Sequence, residues 1–360
     1  MPDHPYRSLP PDAFWRKSVA GLGMAEVDPV GAFGLRIAPD TKVATAGSCF
    51  AQHIARHLKQ SGFHYYVAEA GHPIIPQGMR EAHNYGTFSA RYGNIYTARQ
   101  LVQLFERAYG SFTPKEEPWI DADGTVRDPF RPTVQPGNFV SVAEMEADRR
   151  QHLAAVRRMF ETLDVFVFTL GLTECWKSRA DGAVFPLCPG VEGGSFDAKR
   201  YVFENQTVKS VRHDMQNFLD GLSRVNRQAQ VILTVSPVPL MATAVKEAHV
   251  LSATTYSKSV LRVCAEMLRE ANGFVHYFPS YEIITGAFNR GRYFAEDLRN
   301  VTEEGVGHVM RLFLQHAAGI DARSDDSGEI PPETAEADTV MQHAAAFVEV
   351  ECDEAALDAG

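Results

Sequence analysis

The sequence predicts an α/β protein of three layers, with helices on both faces of a mostly parallel sheet. Two observations carry this. Residues 165–170 and 231–235 are continuous β-branched and aromatic runs without polar alternation, the pattern of strands covered on both faces. Helical periodicity fills the intervals at about 141–161, 207–226 and 252–271, so strands and helices alternate.

In chain order, 42–46 is a short strand, followed by a helix over 52–60 that Gly62 terminates. Residues 63–67 form a second strand. The stretch 71–138 is rich in Gly, Pro and turn residues and is expected to insert loops or a small subdomain at one end of the sheet. The helix at 252–271 places Tyr256, Val260, Cys264, Met267 and Ala271 on one face, and 274–278 is a further strand. Thr302 caps the last helix, with Glu303 and Glu304 in its first turn and Val306, Val309, Met310 and Phe313 on its buried side.

At 360 residues, 45 % apolar and 22 % charged, the chain has the composition of a globular protein with a sizeable core, and no internal repeat is visible. No stretch approaches the roughly 18 to 20 apolar residues of a membrane helix. Met1-Pro2-Asp3-His4-Pro5 shows neither a basic leader nor an apolar run, so the expected location is cytoplasmic. The net charge of −10 is local. Residues 319–360 hold twelve acids and one base, which leaves 34 of the 35 bases and 33 of the 45 acids on the first 318 residues. A near-neutral body without a basic stripe argues against a nucleic-acid partner. The expected organisation is therefore a domain over 1–318 and an acidic, flexible tail over 319–360, within which 340–350 has the pattern of a short docking helix. Five scattered cysteines form no Cys-x-x-Cys pair, and no His-x-His or His-Glu-x-x-His is present, so no disulfide framework, metal or cofactor is expected. The sequence leaves the oligomeric state open.

In folds of this kind ligands bind beyond the carboxyl ends of the strands. Four segments lie there. Gly47-Ser48-Cys49-Phe50-Ala51 follows the first strand and opens its helix, where Ser48 is read either as an N-cap or as a hydroxyl set against helix amides that stabilise an oxyanion. The absence of Gly-Lys-Ser/Thr argues against a phosphate loop.

These five residues give the chain its resemblance to the GSCFA family, which is similar to the SGNH, or GDSL-type, serine hydrolases and acyltransferases. The resemblance runs from about residue 6 to 313. It implies a flavodoxin-like SGNH fold and makes Ser48 the nucleophile. In the second segment it assigns the oxyanion-hole amide to Gly93 of Gly93-Asn94-Ile95-Tyr96, with Asn94 beside it. In the third, Gly171-Leu172-Thr173-Glu174, the SGNH pattern of Gly-x-Asn-Asp is replaced by Thr173, whose hydroxyl can still donate, and Glu174, which would orient a substrate hydroxyl or a base. In the fourth, the SGNH Asp-x-x-His becomes Asp297 and Asn300. An amide cannot take a proton near neutral pH.

Three outcomes follow from Asn300. Another histidine serves as base, His249 ahead of His83 and His308; or Asp297 acts on Ser48 directly or through water; or the chain binds its ligand without turning it over. Glu282, after the strand at 274–278, is a further site candidate, and Cys49 is a weaker alternative nucleophile. The resemblance implies a serine esterase or O-acyltransferase acting on a small-molecule or glycan ester, against a non-catalytic carbohydrate or acyl-group binder on the same fold.

Overall fold

The apolar runs form the middle of the molecule. In the computed structural model, which describes residues 4–319, strands β1 (Val43–Gly47), β4 (Val165–Leu170), β8 (Gln230–Val235) and β9 (Val275–Tyr277) make one parallel sheet in the order β1-β4-β8-β9. Its register pairs Gly47 with Thr169, Leu170 with Val235, and Leu233 with Tyr277.

Because strand side chains alternate, the sheet feeds two cores. Ala44, Ala46, Phe166, Phe168, Leu170, Val231, Leu233 and Val235 pack into one. Helices α3 (Ala98–Ala108), α4 (Val142–Thr162), α5 (Val208–Val225) and α6 (Val250–Ala271) cover it. Val43, Val165, Val167 and Ile232 face the other, covered by α1 (Cys49–Gln60), α7 (Ser280–Thr285) and α8 (Glu303–Phe313). This is the three-layer α/β/α arrangement that the unbroken apolar runs predict.

The strand expected at 63–67 is reduced to one parallel bridge. Val43 N–H donates to the His64 carbonyl (3.0 Å) and Tyr66 N–H to the Val43 carbonyl (2.8 Å). This extended piece flanks β1 on the side away from β4. The buried face of α6 keeps Val260 and Cys264 of the expected one and extends to Ala253, Ser257, Lys258, Leu261, Ala265 and Leu268, whereas Tyr256 is 42 % exposed and Ala271 is exposed.

Residues 71–138 are more than loops. They carry the short helix α2 (Gln77–Ala82), the hairpin β2 (Trp119–Ile120) and β3 (Val126–Arg127), and α3, whose Leu101, Val102, Leu104 and Phe105 belong to the main core. A buried ionic network ties this stretch to α4. Asp128, fully buried, accepts from Arg131 (3.0 Å) and Arg149 (2.7 Å), Asp148 accepts from Arg91 (2.6 Å) and Arg131 (2.7 Å), and Glu69 pairs with His152 (2.8 Å). The arginines hold the Asp128 carboxyl far below the usual carboxylate range, against the opposing effect of burial.

A small antiparallel sheet, β6 (Val184–Phe185), β5 (Glu174–Ser178) and β7 (Tyr201–Asn205) in that order, grows from the end of β4. Cys175 and Trp176 lie in its central strand, which Glu174 begins. Among the described residues no helix is long and apolar enough to cross a membrane. The tail beyond Gly319, including the helix expected at 340–350, lies outside the described residues.

Candidate active site

The chain runs from β1 outward to the 64–66 bridge and then returns across β1 to β4, so the strand order reverses between β1 and β4. In open α/β sheets this crevice, at the carboxyl ends, is where ligands bind. Ser48 lies there. Gly47, which ends β1, has φ +145°, and a Cβ on it would lie 2.6 Å from the Thr169 carbonyl oxygen and 2.7 Å from the Thr169 Cβ. Glycine therefore lets β1 run against β4 up to the residue that presents Ser48.

Ser48 occupies the N-cap of α1 without capping it, because its side chain accepts no helix amide. The contrast with the other Ser and Thr caps is direct. Thr97, Ser141, Thr207 and Thr302 each accept from the amide three residues on. The Ser48 hydroxyl, 5 % exposed, instead donates to Ser236 Oγ at 3.2 Å. Ser236 follows β8, donates its own N–H to the Leu170 carbonyl (2.9 Å), and accepts from Val238 N–H (3.3 Å). Two serines from strands on either side of β4 thus meet across its end. Gly171 makes this possible. A Cβ there would stand 2.9 Å from the Tyr96 carbonyl oxygen and 3.6 Å from Ser48 Cβ.

The Gly93-Asn94 loop closes one wall. Ile95 N–H donates to the Gly47 carbonyl at 2.8 Å, which sets Asn94 beside the end of β1. Asn94 is buried; Gln52 Nε2 of α1 holds its Oδ1 at 3.4 Å, and Gln100 Nε2 holds its carbonyl at 2.8 Å. The 171–173 loop forms the opposite wall. Gly171 and Leu172 amides both donate to the Tyr96 carbonyl (3.2 and 2.8 Å). Thr173 N–H donates to Ser257 Oγ at 3.0 Å, and its hydroxyl to Asn205 Oδ1 at 2.7 Å. Lys258, 1 % exposed, donates from Nζ to the Gly171 carbonyl at 2.7 Å.

The remaining candidates sit in other bonding patterns. Glu174 accepts from the Thr243 hydroxyl (2.6 Å) and the Ala244 amide (3.0 Å), which fastens the 243–244 turn to β5. Glu282 is held by Arg262 (2.7 Å) and Tyr277 Oη (2.8 Å). His249 is exposed and caps α6, with Nδ1 accepting the Leu251 amide at 3.1 Å. His83 Nδ1 meets the Met79 carbonyl at 2.8 Å. His308 is buried with Nδ1 on Tyr293 Oη (2.7 Å), and burial pushes its pKa down to about 4. Asp297 accepts from the Arg299 and Asn300 amides (3.0 and 2.9 Å), and Asn300 Nδ2 donates to its other oxygen at 2.6 Å. Asn300 therefore makes the carboxylate contact that an imidazole N–H makes in a Ser-His-Asp triad, on a group that has no basic nitrogen. Among the described residues Ser236, and no histidine, hydrogen-bonds the Ser48 hydroxyl.

Sequence reasoning assigned no role to Ser236, Gln52, Ser257 or Lys258. Lys258 did leave a signal: it stands in helical register with Leu261, Ala265 and Leu268, where an apolar residue is expected.

The model of the GSCFA family matches residues 42–313, from the start of β1 to the end of α8. No curated protein matches the chain.

Proposed function

The chain belongs to the GSCFA family, and on that premise we propose that it is a serine esterase or O-acyltransferase acting on an acyl ester, with a small-molecule or glycan acceptor. The carrying observation is Ser48: a buried serine at the sheet's crossover crevice, placed as a cap, whose hydroxyl is withheld from capping and paired with a second hydroxyl.

In this reading Ser48 Oγ attacks the acyl carbonyl, and the Ser48 and Gly93 amides and Asn94 receive the charge that develops on its oxygen, while Thr173, whose amide and hydroxyl are bonded to Ser257 and Asn205, holds the facing wall. The serine proton leaves through a base, for which His249 is the proposed group, with Asp297 in support. Water or a sugar hydroxyl then takes the acyl group. Glu174 and Glu282 shape the surrounding walls through their bonds to Thr243 and Arg262.

One observation favours a second reading. The Asp297–Asn300 contact keeps the geometry of an acid–base pair without a proton acceptor, which suits a protein that binds an acyl or carbohydrate ligand and leaves it intact. Incubation with a fluorophosphonate followed by intact-mass measurement separates the two. The enzyme reading expects one adduct on wild type, none on Ser48→Ala and slower labelling of His249→Ala. A folded wild type that never labels overturns it in favour of the binder.

A further inference from the structure

Ser48 is bonded to a second hydroxyl, that of Ser236, which is 1 % exposed just beyond the end of β8. The Ser236 oxygen is fully used as an acceptor. Ser48 Oγ donates to it at 3.2 Å and Val238 N–H at 3.3 Å, which occupies both lone pairs of a hydroxyl oxygen. What remains is its own O–H. Among the described residues no acceptor receives that proton, and its burial screens it from bulk water. A buried donor without an acceptor costs free energy. Thr169, Thr234 and Ser280 also carry buried hydroxyls without partners, but among the described residues only Ser236 is bonded to Ser48. Its place is fixed as well, because Ser236 N–H donates to the Leu170 carbonyl at 2.9 Å, the Val238 amide tethers Oγ, and Pro237 stiffens the chain between them.

Resting on the proposed Ser48 chemistry, we infer that Ser236 is a further catalytic residue, whose hydroxyl donates to the negative charge that the attack creates. In the resting site Ser48 donates and Ser236 accepts. When the base takes the Ser48 proton, Ser236 loses its donor and faces an oxygen that has become an acceptor, so its O–H rotates about Cβ–Oγ and the bond reverses. As the bond from Ser48 Oγ to the acyl carbon forms and the carbonyl π pair moves onto oxygen, the same O–H follows the charge to that oxygen. The two oxygens share one carbon, so a group 3.2 Å from Ser48 Oγ is within reach of both. Ser236 keeps its proton throughout and forms no covalent bond; the Ser48 proton goes to the base. Thr173 does not supply this donor, since its amide is spent on Ser257 Oγ at 3.0 Å and its hydroxyl on Asn205 Oδ1 at 2.7 Å. The donor comes from the next strand instead. Because it gains its acceptor only during attack, it stabilises the transition state and not the bound ligand.

The test is the saturation kinetics of fluorophosphonate labelling, which separate the maximal rate of adduct formation from the affinity for the probe. In that reaction Ser48 Oγ bonds to phosphorus, fluoride leaves, and the phosphoryl oxygen takes up the charge that a carbonyl oxygen would. Ser236→Ala is expected to lower the maximal rate about 100-fold, on the scale of losing one oxyanion-hole donor, with the probe's affinity within about threefold of wild type. Ser236→Thr restores the hydroxyl and should label within about tenfold of wild type, well above Ser236→Ala. Should Ser236→Ala fail to fold, Ser236→Cys carries the same comparison, because it keeps the size and replaces the hydroxyl with a weak donor. If the folded Ala or Cys variant keeps its maximal rate within about threefold of wild type, or loses affinity alone, Ser236 is structural and the inference is overturned while the Ser48 reading stands. A Ser236→Thr no faster than Ser236→Ala overturns it likewise. If wild type never labels, or labels on Ser236 itself, the Ser48 reading fails and this inference falls with it.

Discussion

Gly47→Ala probes the junction on which the site depends. The backbone there has φ +145°, and an added Cβ would lie 2.6 Å from the Thr169 carbonyl oxygen, 2.7 Å from the Thr169 Cβ and 3.0 Å from the Thr169 nitrogen. Two costs arise. A residue with a side chain held in a sparsely populated region of backbone space costs about 1 to 3 kcal/mol. Forcing an extra carbon into a packed interior costs about 1 to 3 kcal/mol more. Two of the three neighbours are backbone atoms of the central sheet and cannot rotate away, so the sum should reach about 3 kcal/mol. In urea that lowers the unfolding midpoint by about 1 M. Gly62→Ala is the control, because Gly62 has φ +75° with no atom within 4 Å of the added carbon, and it should lose only the conformational part. Gly47→Ala should also slow fluorophosphonate labelling, since the strand end that it displaces carries Ser48. A midpoint no lower than that of Gly62→Ala would refute the close approach of β1 to β4.

Other consequences are open to measurement. Asp128→Asn leaves the buried Arg131 and the partly exposed Arg149 facing a neutral amide and should cost about 3 to 5 kcal/mol in urea unfolding, whereas Glu161→Gln, which breaks an exposed pair with Arg157, should change stability by less than about 1 kcal/mol. Burial lowers the His53 and His308 pKa values from 6.5 to about 4, so both are neutral in the fold and the unfolded chain takes up their protons first. Their contribution to stability is complete above pH 6.5 and is lost as the pH falls toward 4; urea midpoints equal at pH 7.5 and 5 would contradict this. Thr302→Ala should cost about 1 kcal/mol and speed amide exchange in the first turn of α8. Ser48→Ala should leave exchange in the first turn of α1 unchanged, since Ser48 makes no capping bond.

The elements most legible in the sequence are those whose burial is fixed by their own pattern. The runs at 165–170 and 231–235 are strands to within a residue because both faces of each are covered, and Thr302 caps where the acidic turn after it indicates. Patterns failed where a neighbour decides the structure. Residues 63–67 look like a strand but join the sheet by a single bridge to Val43, at its edge. Strands β5 to β7 were missed because Lys177 and Glu204 pair across them in place of an apolar alternation. Nothing local marks Arg91 and Arg131 as buried; their partner Asp148 lies 57 and 17 residues away in sequence. Among the site candidates, Ser48 was marked by its position after a first strand and by the family resemblance, and Asn94 by the resemblance alone. Ser236 and Lys258 were not, because their relation to Ser48 runs across 188 residues in one case and through Gly171 in the other.

The central claim is that Ser48 is an activated nucleophile. Its most direct test is tandem mass spectrometry of the peptide carrying the fluorophosphonate adduct, with the wild-type protein labelled at neutral pH. The account predicts a single adduct, on Ser48. An adduct on Ser236 or on a cysteine, or none on a demonstrably folded protein, would contradict it.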